Sequence, residues 1–158
     1  MASAISLRLS VPASSSWSGD LASGYSTSTS GYYLRGIFGL FGIGYASNEL
    51  TVSGPSSTAK HGSTAIDFSI DPIDFLSLGY GTVIGGSYSN STTSGIELDS
   101  ASGSTTFLDL NFGIGPIDLL VGYRMWDVTH SLKWSTYNLN IDSKGKWSEM
   151  TVGVGVGF

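Results

Sequence analysis

Six charged residues sit inside stretches that alternate between large apolar and small side chains, and these six are the ones placed to do chemistry. Arg8, Arg35 and Arg124, with Asp67, Asp109 and Glu149, all fall on the small-residue side of the alternation. Three cations and three anions sharing one poorly hydrated interior must pair and hydrogen-bond, because an isolated buried charge is costly. Such a set serves either as a closed salt-bridge network that fills space or as a charged constriction that filters solutes. Filling is the expectation, with Arg35 and Arg124 drawing partners from Asp67, Asp109 and Glu149.

The other candidates for chemistry group less well. His61 and His130 are the only histidines. His61 lies in a polar stretch beside Lys60 with no second ligand near it in sequence. His130, in "DVTHSLKW", neighbours Asp127 and Ser131. A Ser-His-acid hydrolase at a membrane surface needs its serine and histidine on one face, whereas adjacent strand residues point to opposite faces. The chain is therefore not expected to be an enzyme. Cysteine is absent, which removes thiolate chemistry and disulfides, and no spacing suggests a metal site or a cofactor. The Gly-x-Gly runs have no following helix and no attached Lys-Ser/Thr, so they are not phosphate loops. "NST" at Asn90 is a chance glycosylation match. A net charge of −5 gives a nucleic-acid partner no electrostatic support.

The elements that must position the six charges read as strands. Met150, Val152, Val154, Val156 and Phe158 share one face, and Glu149, Thr151, Gly153, Gly155 and Gly157 the other. The same period of two runs through Ile5 to Val11, Phe41 to Ala46, Ala65 to Ile70 and Phe107 to Ile114. The small face is too poor in charge to be a solvated exterior. Small residues suit the crowded inside of a narrow barrel, and large aliphatics suit lipid. The longest mostly apolar run, Gly36 to Ala46, is about half of the ~20 residues a membrane-crossing helix needs.

A near-repeat sets the unit. "IDPIDFLSLGY" (70–80) returns as "IGPIDLLVGY" (114–123), one residue shorter. Each copy reads as the end of one strand, a short turn at Asp71-Pro72 or Gly115-Pro116, and the start of the next. A lost residue inside a strand flips every later side chain, so the difference belongs in the turn or a bulge beside it. Between these units lie polar stretches at Gly19–Gly31, Gly54–Gly62, Asn90–Ser104 and Ser135–Lys146, read as four external loops. Strands are expected near 4–14, 32–38, 40–52, 63–70, 74–88, 105–114, 117–133 and 147–158.

The expected fold is therefore all-β, an eight-stranded antiparallel up-and-down transmembrane β-barrel formed by residues 1–158 as one domain. Only 12% of the 158 residues are charged, about half the usual share. Tyr33, Phe75, Phe107, Trp126 and Trp147 are expected to point inward. The inward glycines, among them Gly42, Gly79, Gly81 and Gly122, are expected to ease strand curvature and leave some space for water or a narrow path. Tyr32, Tyr45, Tyr88, Trp134 and Phe158 read as interfacial aromatics. "MASAISLRLSV" has neither the positive start nor the apolar core of a leader, so a natural precursor is expected to carry one that this chain lacks.

The pattern resembles the small bacterial outer-membrane barrels, the class of the OmpA transmembrane domain and OmpX. "MTVGVGVGF" is its sharpest element, with "FGIGYAS" and "LGYGTVIGG" beside it. The resemblance implies a bacterial outer-membrane location with periplasmic termini, and contact with outer-membrane lipid as a monomer. It also implies that Met150, Val152, Val154, Val156 and Phe158 form a signal read by the barrel-assembly machinery. The resemblance carries over no single function; the expected role is structural or adhesive, a plugged barrel displaying four polar loops. The alternatives are a narrow pore or lateral conduit for small solutes, and a membrane-surface lipid-modifying enzyme.

Overall fold

A computed structural model describes residues 5–18 and 24–158. Eight strands follow in order: β1 (Ile5–Trp17), β2 (Ser26–Phe38), β3 (Phe41–Ser53), β4 (Thr58–Ile73), β5 (Leu76–Asn90), β6 (Ile96–Ile114), β7 (Ile117–Trp134) and β8 (Leu139–Gly157). Each pairs antiparallel with its sequence neighbours, and β1 pairs with β8 to close the barrel. Ile5 and Phe158 lie with the tight turns at 39–40, 74–75 and 115–116, which define a terminal end. The other connections, including 54–57, 91–95 and 135–138, form the rim.

The alternation sorts side chains as period-two geometry requires. Next to the terminal end the outer wall is an unbroken apolar band: Ile117, Leu119, Val121, Tyr123 and Met125 on β7 are all exposed, as are Val156, Val154, Val152 and Met150 on β8. Ile5, Leu7, Leu9 and Val11 continue it on β1, and Phe41, Ile43 and Tyr45 on β3. Asp127, Lys146 and Glu49 end it toward the rim. The stretch 117–125 matches the ~9–11 residues a tilted strand uses to cross a bilayer.

Three sequence expectations change. The polar stretches read as loops are mostly strand, and the connections left between strands are short. Within the first stretch, residues 19–23 lie outside the described residues. Ser, Thr and Gly dominate the described parts of these stretches because a wall above the apolar band needs no large aliphatics, and Thr is itself a good strand residue. Asp71-Pro72 is not a turn: it lies in β4 at a register irregularity between Ile70 and Ile73, and the chain turns at 74–75. A proline lacking its N–H is accommodated at such a bulge. The longer first copy of the repeat is absorbed there, while Gly115-Pro116 is a true turn and Ile114 pairs directly with Ile117. Finally, Phe75 does not point inward; it sits on that turn, 56% exposed.

Two ladders stop partway. The β1–β2 ladder ends at Ser10–Tyr33 and the β5–β6 ladder at Thr82–Ser104, whereas β2–β3, β6–β7 and β7–β8 stay paired to their rim ends. Just beyond each stop stands a glycine with positive φ, Gly31 (154°) and Gly103 (141°). A Cβ at either would fall 2.1 Å from a backbone carbonyl of the next strand, Ser47 or Asp127. These glycines let β2 close on β3 and β6 on β7, away from β1 and β5. The rim half thus consists of two hydrogen-bonded leaves, β2–β5 and β6–β7–β8–β1.

Candidate functional site

The interior is stacked in storeys. Nearest the terminal end, Arg8 on β1 donates to Asp71 on β4 (2.7 Å) and to the Ser77 hydroxyl on β5 (2.7 Å), with Asp118 at 3.8 Å. Arg35 on β2 donates to Asp109 on β6 at 2.8 Å, its guanidinium 4.0 Å from the centre of the Phe107 ring. Arg124 on β7 holds Asp67 on β4 with two hydrogen bonds, 2.6 and 3.2 Å. Its guanidinium lies between the Tyr33 and Phe107 rings, at 4.2 and 4.4 Å. Each pair joins strands that are not neighbours, so each is a strut across the lumen. Planar guanidinium suits this role because it forks onto carboxylates and stacks on rings.

All six charges singled out from the sequence lie buried inside. Glu149 departs from the expected pairing. Its carboxylate accepts from Tyr33 Oη (2.5 Å), Trp126 Nε1 (2.6 Å) and Asn48 Nδ2 (3.0 Å), all uncharged donors. Arg124 sits opposite Glu149 in the β7–β8 ladder yet reaches the other way, to Asp67. Asp71 and Asp118 escaped the sequence reading. Asp71 continues the inward series Asp67, Ser69, Asp71 along β4, and reading its proline as a turn hid it.

The inward glycines do not leave the expected path. A Cβ at Gly79 would overlap the Phe107 ring, one at Gly81 would meet Asp67 and Thr105, and one at Gly122 would meet Asp109 and Thr151. Each glycine is the room that a strut or ring occupies. The open space is instead a cavity of about 380 Å³ at the terminal end, bordered by Arg8, Asp71, Asp74, Phe75, Asn111 and Asp118.

Toward the rim the interior turns apolar. Leu50, Val128, Trp126 and Trp147 are buried, with Trp126 and Trp147 stacked 5.7 Å apart and Trp17 packed against them. Above the level of the outer apolar band, this chamber holds both histidines. His61 on β4 does not stand alone in a loop: its ring centre lies 5.1 Å from that of His130 on β7, and 5.0 Å from that of Tyr88. Tyr88 thereby faces inward and is no interfacial aromatic; Tyr32 and Tyr45 face outward, 6.2 Å apart. His130 Nε2 donates to the Gly62 carbonyl at 2.9 Å, with Ser63 Oγ at 3.3 Å. Burial lowers both imidazoles below their ordinary range, His61 to about 4 with His130 adding to the effect. Ser131 is on the outer face of β7, bonded to Asp142 at 2.8 Å. Ser131 and His130 therefore look away from each other.

The C-terminal strand shows Met150, Val152, Val154 and Val156 on its outer face. Phe158 is 78% exposed, its N–H donating to the Ile5 carbonyl at 2.9 Å. Among the described residues no cluster of three or more His, Cys, Asp or Glu is arranged to hold a metal ion.

No family model matches the chain, and no curated protein does. Among solved structures, outer membrane protein W of E. coli, determined by NMR, superposes with a TM-score of 0.54. It is 16% identical, and the match covers 99% of this chain and 98% of that one. The crystal structure of outer membrane protein OprG from Pseudomonas aeruginosa gives 0.49 at 10% identity, over 99% and 97%. The likeness to outer membrane protein W shows the fold, an all-β barrel of eight antiparallel up-and-down strands.

Proposed function

We propose that the chain is an integral barrel of a bacterial outer membrane, closed to solutes, with its terminal end in the periplasm and a structural or adhesive role. One observation carries this reading: an apolar outer band surrounds a lumen crossed by three arginine–carboxylate struts. In water that band would be a large exposed apolar surface, whereas in lipid it is the expected exterior. The struts and the rings stacked on them fill the width available inside eight strands. The surface offered to partners is the Ser/Thr-rich outer wall of the rim half, more than any loop. The outward row Met150, Val152, Val154, Val156 with Phe158 serves as the signal to the barrel-assembly machinery. Catalysis has no part in this reading, given the opposed faces of His130 and Ser131.

Reconstitution in planar bilayers is the test. The wild-type barrel is expected to show no conductance above that of the empty bilayer. Steady single-channel currents would replace the closed barrel with a narrow pore. A second reading, a lateral conduit, is favoured by the two ladders that stop below the rim. It predicts uptake of small solutes by proteoliposomes without any channel current.

A further inference from the structure

The two leaves of the rim half share no ladder at β1–β2 or β5–β6, so something else must hold them together there. Polar ties across the chamber do this. His130, on the β6–β1 leaf, donates to the Gly62 carbonyl on the β2–β5 leaf, and its ring lies edge-on against His61 of that leaf. Glu149 makes a deeper tie from β8 to Tyr33 on β2 and Asn48 on β3. His130 is only 2% exposed.

We propose that the rim half of the barrel is a proton-operated clasp, in which charging the His61–His130 pair parts the two leaves along β1–β2 and β5–β6. With both rings neutral, His130 keeps its N–H on Gly62 and the edge contact is favourable. With both charged, two imidazolium rings face each other about 5 Å apart in an apolar chamber, where like charges repel strongly. The neighbours offer little compensation. Facing the pair are Leu50 and Asn48 from β3, Tyr88 from β5, Ala101 from β6 and Ser143 from β8. The lumenal carboxylate Glu149 lies six residues deeper along β8 than Ser143, the ladder partner of His130, and is already bonded to Tyr33, Trp126 and Asn48. Lys60 and Glu49 pair with each other on the outer wall, and Asp142 bonds Ser131 there.

The direction follows from proton linkage. Both imidazoles have folded values below the unfolded one, so the closed form is at full stability at neutral pH. It loses stability as pH falls from about 6.5 toward about 4. The struts Arg8–Asp71, Arg35–Asp109 and Arg124–Asp67 lie below the leaves and hold the lower barrel while the rim parts. The inference goes beyond the closed-barrel reading, since a barrel that conducts could carry the same clasp.

The cysteine-free chain allows a direct test in detergent or liposomes. Nitroxides at Ser16→Cys with Ser28→Cys report on the β1–β2 seam, and at Ser89→Cys with Ser102→Cys on the β5–β6 seam. Leu9→Cys with Leu34→Cys, partners in the intact ladder, reports on the lower wall. Between pH 7.5 and 4.5 both seam distances should widen by about one strand spacing, ~5 Å, while the lower pair stays fixed. With His61→Gln and His130→Gln together, the widening should be lost; glutamine at 130 can still donate to Gly62. Unchanged seams in the wild type would overturn the clasp. So would equal widening in the glutamine variant, or movement of the lower pair, which would report general acid unfolding. Should the double variant fail to fold, judged by heat-modifiable gel migration, His61→Gln alone carries the same comparison.

Discussion

Arg124 and Asp67 are 2% and 1% exposed at the side chain, and two hydrogen bonds join them. Removing the arginine alone leaves a carboxylate without its hydrogen-bonded cation in a space packed by Phe107 and Tyr33. Arg124→Ala is expected to cost about 3–5 kcal/mol, the range for breaking a buried pair from one side. Adding Asp67→Ala should recover part of that loss, because no charge is then orphaned. Urea titrations of folded fraction on gels measure both. If the double variant is less stable by the sum of the single losses, the pair is not a strut. Outside the barrel the rule reverses. Val154→Arg puts a cation on the apolar band and should cost roughly 2–4 kcal/mol in lipid near the midplane. Gly155→Ala, inward beside Arg8 and Asp118, should show no dependence on bilayer thickness.

Strands carry the next level, and one residue each decides how β2 and β6 run. Gly103→Ala forces a Cβ toward the Asp127 carbonyl at a backbone angle that disfavours side chains, costing about 1–3 kcal/mol of local strain. The expected signature is faster amide exchange confined to the rim halves of β6 and β7, with protection unchanged near Leu110–Val121. The sequence announces much of this level. Period-two alternation locates all eight strands and sorts Arg8, Arg35, Asp67, Asp109, Arg124 and Glu149 to the inside. Two kinds of information are missing from it. Alternation fails where neither face is apolar, so Ser26–Ser30 and Ser100–Ser104 read as loop although they are strand. Parity gives the face a residue takes and never its partner across the lumen. Hence the turning of Glu149 toward Tyr33 and Trp126, and the meeting of His61 with His130, become visible only once the barrel closes, whereas Asp71, in step with Asp67 and Ser69, is hidden by a proline that reads as a turn.

At the scale of the whole molecule, the outer band and the struts make separable predictions. Deleting Phe158 removes a residue that is mostly exposed and tied by one backbone hydrogen bond. It is expected to reduce insertion in cells severalfold while refolding into detergent stays near wild type. Equal losses in both assays would make Phe158 a packing element. Replacing Arg124 and Asp67 together should also raise bilayer conductance above the silent wild type, since one of the three struts is then gone.

The struts also set an order of events in time. Arg8 and Asp71 are 63 residues apart, Arg35 and Asp109 are 74, and Tyr33 and Glu149 are 116. None of these contacts lies within a hairpin, so a half-assembled sheet gains neighbouring ladders while its buried charges still lack partners. Long-range contacts of this kind slow the search, because the chain must close large loops before they reward it. Closure of β1 on β8 should therefore be one abrupt, late step that completes all the crossings together. An apolar replacement of one crossing, such as Arg124→Met with Asp67→Leu, is expected to quicken that step in stopped-flow refolding, since the intermediate then has two fewer charges to hold in water.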